Sequence, residues 1–208
     1  MDYLQQLIER YPQLKPNAAE IKAAFDILVK SFSNGGKLLI AGNGGSASDA
    51  EHIVGELMKS FVKKRKLPDP FIENIKKCEN EVAGYLLAGL QAGLPAYALS
   101  GNISLNTALI NDVDGNIIFA QQICGYGNKG DVFLGISTSG NAKNVIYAAA
   151  TAKAKQMKVI ALTGGTGGSL RRYADLSIIV PVTETYKIQE LHLPVYHCLC
   201  LMLEEHFF

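Results

Sequence analysis

The chain has 208 residues, of which 48% are apolar, and a formal charge of +1, which suits one α/β domain with helical additions and a full core. That balance excludes a disordered chain, and near-neutrality excludes nucleic-acid binding by bulk charge. No stretch is apolar for the roughly 20 residues a membrane span needs, and the first residues lack a signal peptide's basic and apolar regions, so no membrane partner and a cytoplasmic location are expected.

In chain order, Tyr3, Leu4, Leu7 and Ile8 predict a helix within residues 1–13, and Ile21, Ala24, Phe25, Leu28 and Val29 mark a second over 17–33. These helices precede the first strand, and their stripes are expected to pack on another subunit's helices. Residues 37–41 form a short apolar strand suited to a central parallel position. A helix then runs to about residue 62, and the basic run Lys63-Lys64-Arg65-Lys66 is expected to be a solvated helix end. After the break at Leu67-Pro68-Asp69-Pro70, residues 71–90 look helical. Further strands are expected at 96–100, 131–137, 158–163 and 176–180, with helices at 104–111, 116–125, 142–155 and from 186 to the end. The alternation predicts a doubly wound, five-stranded parallel sheet with flavodoxin-like layers and ligands beyond the carboxyl ends of its strands. Cys78, Cys124, Cys198 and Cys200 are scattered, with no zinc-knuckle or disulfide spacing, and predict buried, reduced thiols.

Two strand-to-helix turns carry the chemistry. After the first strand comes Gly42-Asn43-Gly44-Gly45-Ser46, where Ser46 is a candidate N-cap and Asp49 completes a loose capping box. Such a turn offers backbone N–H groups and a helix dipole to an anion. It lacks the Gly-Lys-Ser/Thr of a Walker loop and the spacing of a dinucleotide fingerprint. After the third strand, Ser137-Thr138-Ser139-Gly140-Asn141 supplies three hydroxyls in the same topological place. One turn into the first of these helices, His52 and Glu56 are i and i+4 and share a face. Gln189 and His197, eight residues apart on the last helix, share another; His192 and His206 are expected to be structural or at the surface. A phosphate-type turn beside a His/Glu pair suggests a phosphorylated substrate and a site that moves protons or binds a metal. The run Gly164-Gly165-Thr166-Gly167-Gly168 is expected to be a flexible loop, able to close over ligand.

On these residues the chain resembles the sugar isomerase (SIS) domain family, and within it the phosphoheptose isomerases. The motifs are Ala41-Gly42-Asn43-Gly44-Gly45-Ser46, Asp49-Ala50-Glu51-His52 with Glu56, Gly135-Ile136-Ser137-Thr138-Ser139-Gly140-Asn141, Leu162-Thr163-Gly164, and Ile188-Gln189-Glu190-Leu191-His192 with His197. The resemblance implies conversion of sedoheptulose 7-phosphate to D-glycero-D-manno-heptose 7-phosphate through an enediol, early in ADP-heptose and surface-glycan biosynthesis. It also implies a homotetramer with active sites at subunit boundaries, built from oligomerising helices (1–34) and an SIS domain (35–208). By motif position Glu56 is the general base and His197 the general acid. Zinc, where bound, falls to His52, Glu56, Gln189 and His197. Ser137, Thr138 and Ser139 hold the phosphate, and Asn43, Gly44, Ser46, Asp112 and Gln189 hold the sugar or sit close to it.

Three departures stand against the family pattern. Ala142 replaces a common serine, Ser60 stands where arginine is usual, and residues 67–92 exceed the usual loop length. These keep two alternatives open: an isomerase or binding module for another phosphosugar, and a non-catalytic regulator resembling the partner of the replication initiator DnaA. Retention of both Glu56 and His197 favours the enzyme.

Overall fold

A computed structural model describes residues 2–208. Its helices are α1 (Tyr3–Arg10), α2 (Ala18–Ser33), α3 (Gly45–Met58), α4 (Asp69–Ile75), α5 (Asn80–Gly89), α6 (Ile103–Asp112), α7 (Ile118–Tyr126), α8 (Lys143–Ala154) and α9 (Thr185–Phe207). The strands β1 (Leu38–Ala41), β2 (Ala96–Ala98), β3 (Val132–Ser137), β4 (Lys158–Gly164) and β5 (Leu176–Val180) form one parallel sheet in the order β2-β1-β3-β4-β5. The doubly wound five-stranded sheet expected from the alternation is the fold observed. Because β1 lies between β2 and β3, the connections leave it in opposite directions, and a crevice opens beyond the carboxyl ends of β1 and β3.

Period-two alternation divides the strand residues between two cores. Leu38 and Ile40 of β1, Leu134 and Ile136 of β3, and Ile160 and Leu162 of β4 face α2, α3 and α9. Leu39, Ala41, Phe133, Val159 and Ala161 face α7 and α8. The apolar stripes of α1 and α2 belong to the first of these cores: Leu7, Leu14, Ile21, Ala24 and Leu28 are buried within their own chain. The expectation that these stripes await another subunit is therefore corrected. The sheet face beside them is otherwise uncovered, and filling it removes apolar surface from water without a partner.

Four other expectations change. Cys198 and Cys200 are buried thiols as expected, but Cys78 and Cys124 lie on the surface. Lys59 is extended, so α3 stops at Met58 rather than near residue 62. Residues 71–90 are two helices, α4 and α5, joined by a turn and held by a small core of their own around Leu67, Ile75 and Ala83. Arg65 is not solvated: its side chain is wholly buried against Glu204.

His192 is interred in α9 with no exposure, and neither ring nitrogen has a full hydrogen-bond partner. Burial pushes its pKa down to about 4, partly offset by the neighbouring Thr163 backbone. The unfolded chain therefore takes up a proton near pH 6.5 that the folded chain refuses until about pH 4. The neutral ring's contribution is complete above pH 6.5 and lost as pH falls through this window, by about 3 kcal/mol in all. Urea titrations at stepped pH should show that slope in the native chain, and His192→Leu should flatten it.

Candidate active site

The turns after β1 and β3 lie side by side because Ala41 pairs with Gly135 in the sheet. Between them is a cleft of about 510 Å³ lined by Asn43, Gly44, Gly45 and Ser46 on one wall and Ser137, Thr138 and Ser139 on the other. Thr185 and Gln189, from the start of α9, close its third side. None of the residues lining the cleft is a lysine or arginine. The amino-terminal ends of α3, α8 and α9 point at the cleft, and such ends, whose first N–H groups have no helical acceptor, are suited to an anion. Gly44, with φ +54°, occupies the N-cap of α3 and makes no side-chain cap. Ser46 is thus a buried first-turn residue, and the expected serine cap is corrected. Asn43 and Asn144 exchange hydrogen bonds of 2.9 Å in both directions and tie the two turns together.

The glycine run after β4 is a buttress. The Gly164 N–H donates to the Thr138 carbonyl, the Leu170 N–H to the Gly140 carbonyl, and the Ser169 N–H to Asn141 Oδ1. A Cβ on Gly140 would meet the Gly167 carbonyl oxygen at 2.0 Å, and one on Gly168 would meet the Ser139 carbonyl oxygen at 2.4 Å. The phosphate-type turn and the glycine run interlock backbone to backbone, so in this structure the run supports the turn.

Further along the same two helices, α3 and α9 bring His52, Glu56 and His197 together. His52 Nε2 is 3.2 Å from Glu56 Oε1, and the His52 and His197 rings meet edge to face at 4.9 Å. Phe61 walls His197 on another side, with ring centroids 5.3 Å apart. Glu56 Oε2 and His197 Nε2 are buried without hydrogen-bond partners, although Lys59 Nζ lies 3.6 Å from the former. Burial, followed by the neighbouring His52, holds the His197 pKa below the usual histidine range despite the opposing pull of Glu56. His52 is steadied from behind: its Nδ1 lies 3.0 Å from Tyr196 Oη, which donates to Asp49 Oδ1 at 3.2 Å. Burial raises the Asp49 pKa, against the lowering effects of Tyr196 and His52.

Two imidazoles, a carboxylate and a carboxamide suit a zinc ion chemically, and the orphaned Glu56 Oε2 and His197 Nε2 are the kind of atoms a cation satisfies. Holding the ion requires these side chains to turn toward one point. His52 Nε2 is engaged with Glu56, Gln189 lies against Gly45, and among the described residues no three His, Cys, Asp or Glu side chains are posed around one ion. Asp112 stands apart at the exposed end of α6, bonded to Asn111, and does not line its own chain's cleft.

The family model described as "SIS domain" matches residues 2–73 and 80–164. The chain belongs to the SIS domain family. Among curated SIS relatives, a phosphoheptose isomerase of Helicobacter pylori (strain P12) is 39% identical over 187 residues, covering 90% of this chain and 84% of that one. A phosphoheptose isomerase of Leptospira biflexa is 39% identical over 197 residues, covering 95% and 87%. Among solved structures, a phosphoheptose isomerase from Francisella tularensis superimposes with a TM-score of 0.78 at 32% identity, covering 98% of this SIS chain and 95% of the other.

Several residues of this SIS domain escape a reading of its sequence. Asp49 is three residues before His52 on the same helix face, a signal the capping assignment masked. Tyr196, Asn144 and Arg65 sit beside or beyond the motifs, and nothing in the sequence marks their partners. The buttress is the easiest of these features to test. Gly168→Ala adds a side chain at φ +54° and drives it into the Ser139 carbonyl. Calorimetric titration with inorganic phosphate should show weakened binding, by about tenfold for a loss near 1.4 kcal/mol.

Proposed function

We propose that the protein is a ketose–aldose isomerase acting on sedoheptulose 7-phosphate. The observation that carries this reading is the meeting of Glu56 and His197, from separate helices, around His52 beside a cradle of helix N-termini. The names of its relatives, phosphoheptose isomerases at 38–40% identity, point to the same substrate. The spacing agrees: His52 lies six residues beyond Ser46, about 9 Å of helix rise. A long sugar phosphate held at the cradle can span that distance to the His52 turn of α3.

In the reaction, the phosphate rests on Ser137, Thr138 and Ser139 while the carbonyl end reaches α3 and α9. Glu56, with one oxygen toward His52 and one unpartnered, takes the proton from C1 and returns it at C2. His197, kept neutral by its lowered pKa, exchanges the proton at the sugar oxygen as the enediol forms and collapses. Zinc held by His52, Glu56, Gln189 and His197 would supply Lewis-acid polarisation of the carbonyl. Asn43, Gly44, Ser46 and Gln189 are assigned to the sugar hydroxyls.

The same reading includes a homotetramer with shared sites. It is supported by the exposed Ile103, Ile110 and Val113 along and just beyond α6, and by the incomplete cover of Tyr3, Leu4 and Phe25 on α1 and α2. Asp112, at the end of that α6 surface, would then serve a neighbour's cleft. A cytoplasmic setting suits the free thiols of Cys198 and Cys200. No helix among the described residues is long and apolar enough to cross a membrane.

Incubation with sedoheptulose 7-phosphate should yield the aldose. Glu56→Gln and His197→Asn should each lower kcat by about 10²–10⁴-fold. No turnover by the native chain, or full activity in Glu56→Gln, overturns the assignment. Metal analysis should find about one zinc per chain, lost in His52→Ala. Sedimentation should give a tetramer, and a stable monomer would remove the shared site.

A further inference from the structure

The run Lys63-Lys64-Arg65-Lys66 contains one side chain that does not behave like its neighbours. The Arg65 guanidinium, 0% exposed, donates from Nη2 to the Glu56 carbonyl oxygen at 2.7 Å and from Nη1 to the Leu57 carbonyl oxygen at 2.5 Å. Its Nε donates to Glu204 Oε1 at 2.9 Å, and the Phe208 ring lies 4.8 Å from its central carbon. Glu204 is itself 1% exposed and also accepts the backbone N–H groups of Phe61, Val62 and Lys63 at 2.8, 2.8 and 3.0 Å. Burial would raise its pKa, but these donors hold the carboxyl below its ordinary value.

We propose that Arg65 and Glu204 are a positioning pair for the reaction, holding Glu56 at a fixed distance from His197. This rests on the assignment of Glu56 as base and His197 as acid. The two carbonyls Arg65 takes belong to the last turn of α3, where carbonyls lack donors within the helix and a cation opposes the helix dipole; that of Leu57 also accepts the Leu94 N–H at 2.9 Å, so the Glu56 carbonyl is the one that depends on Arg65. One of them is the carbonyl of Glu56. At its other end the guanidinium grips α9 seven residues beyond His197, two turns along the same face. The Glu204 carboxylate also fixes the backbone of Phe61, whose ring lies against His197. A single ion pair thus contacts the end of the helix bearing the base, the helix bearing the acid, and the backbone of the aromatic residue packed on the acid. An apolar pair would fill the same volume, and a buried ion pair is weak evidence for stability alone. Direction is what distinguishes this one: the guanidinium fork reaches three fixed acceptors that one ammonium cannot satisfy together.

The test compares Arg65→Lys and Glu204→Gln with the native chain, each measured alone and in the Glu56→Gln background. Phosphate-binding stoichiometry counts the folded sites, since the cradle is built at the amino-terminal ends of α3 and α9, opposite the ends that Arg65 and Glu204 join. With stoichiometry intact, Arg65→Lys should lower kcat about 10- to 100-fold, as misplacement of a reacting group does, and leave KM within about twofold. In the Glu56→Gln background the same change should alter the residual turnover by less than about twofold, because there is no base left to misplace. Equal losses in both backgrounds, losses that follow the phosphate-binding stoichiometry, or unchanged kcat overturn the proposal. A native chain without turnover overturns the isomerase assignment instead. Crystallography of Arg65→Lys then decides the pair separately: a displaced last turn of α3 supports it, and an unchanged Glu56–His52 contact refutes it.

Discussion

The packing of α9 against the sheet and α3 determines most of what the site contains. Ile188, Leu191, Val195, Leu199 and Leu203 recur at three- and four-residue spacing and are all buried. Each contributes about 1.5–3 kcal/mol by leaving water, enough together to outweigh the few kcal/mol that interring His192 and Glu204 costs. Once that stripe is docked the helix cannot rotate. Gln189 must then face the cleft, His197 must face α3, and Glu204 must reach Arg65.

The second constraint is the close approach of backbones around the cradle. Gly45 lets Gln189 lie where a Cβ would stand 2.4 Å from its Nε2, and Gly140 and Gly168 let two loops touch main chain to main chain. Space that side chains would occupy goes to carbonyl and N–H groups with fixed directions. A site built this way keeps its donors in place before the ligand arrives, so little ordering remains to be done on binding.

The sheet, its parallel sense and both anion turns were legible in the sequence, because apolar runs and glycine-serine turns are local signals. The owner of the α1 and α2 stripes was not legible: Ile21 and Leu28 show the same pattern whether they meet their own sheet or a neighbour's helix. Ser46 looked like a cap by residue type, but Gly44 reaches the positive φ that the turn demands and moves the helix start forward. Arg65 was hidden for a related reason. Its partner Glu204 lies 139 residues away, and a basic run gives no sign that one of its members is turned inward. For Glu56 and His197, the sequence shows only that each residue shares a helix face with another candidate; the contact between those faces is tertiary.

The distribution of charge along the site follows from what isomerisation does to the substrate. The phosphate keeps its charge from ketose to aldose, so its end needs to be held but not to respond. Oriented N–H groups do that without a fixed cation, consistent with a cleft lined by no lysine or arginine. The sugar oxygens gain and lose charge as the enediol forms, so responsive groups belong at that end, and His52, Glu56 and His197 stand there. With Arg65 committed to the end of α3 and Ser60 uncharged, Lys59 is the cation beside Glu56. At 3.6 Å from Glu56 Oε2 and 63% exposed, it adds little to folding.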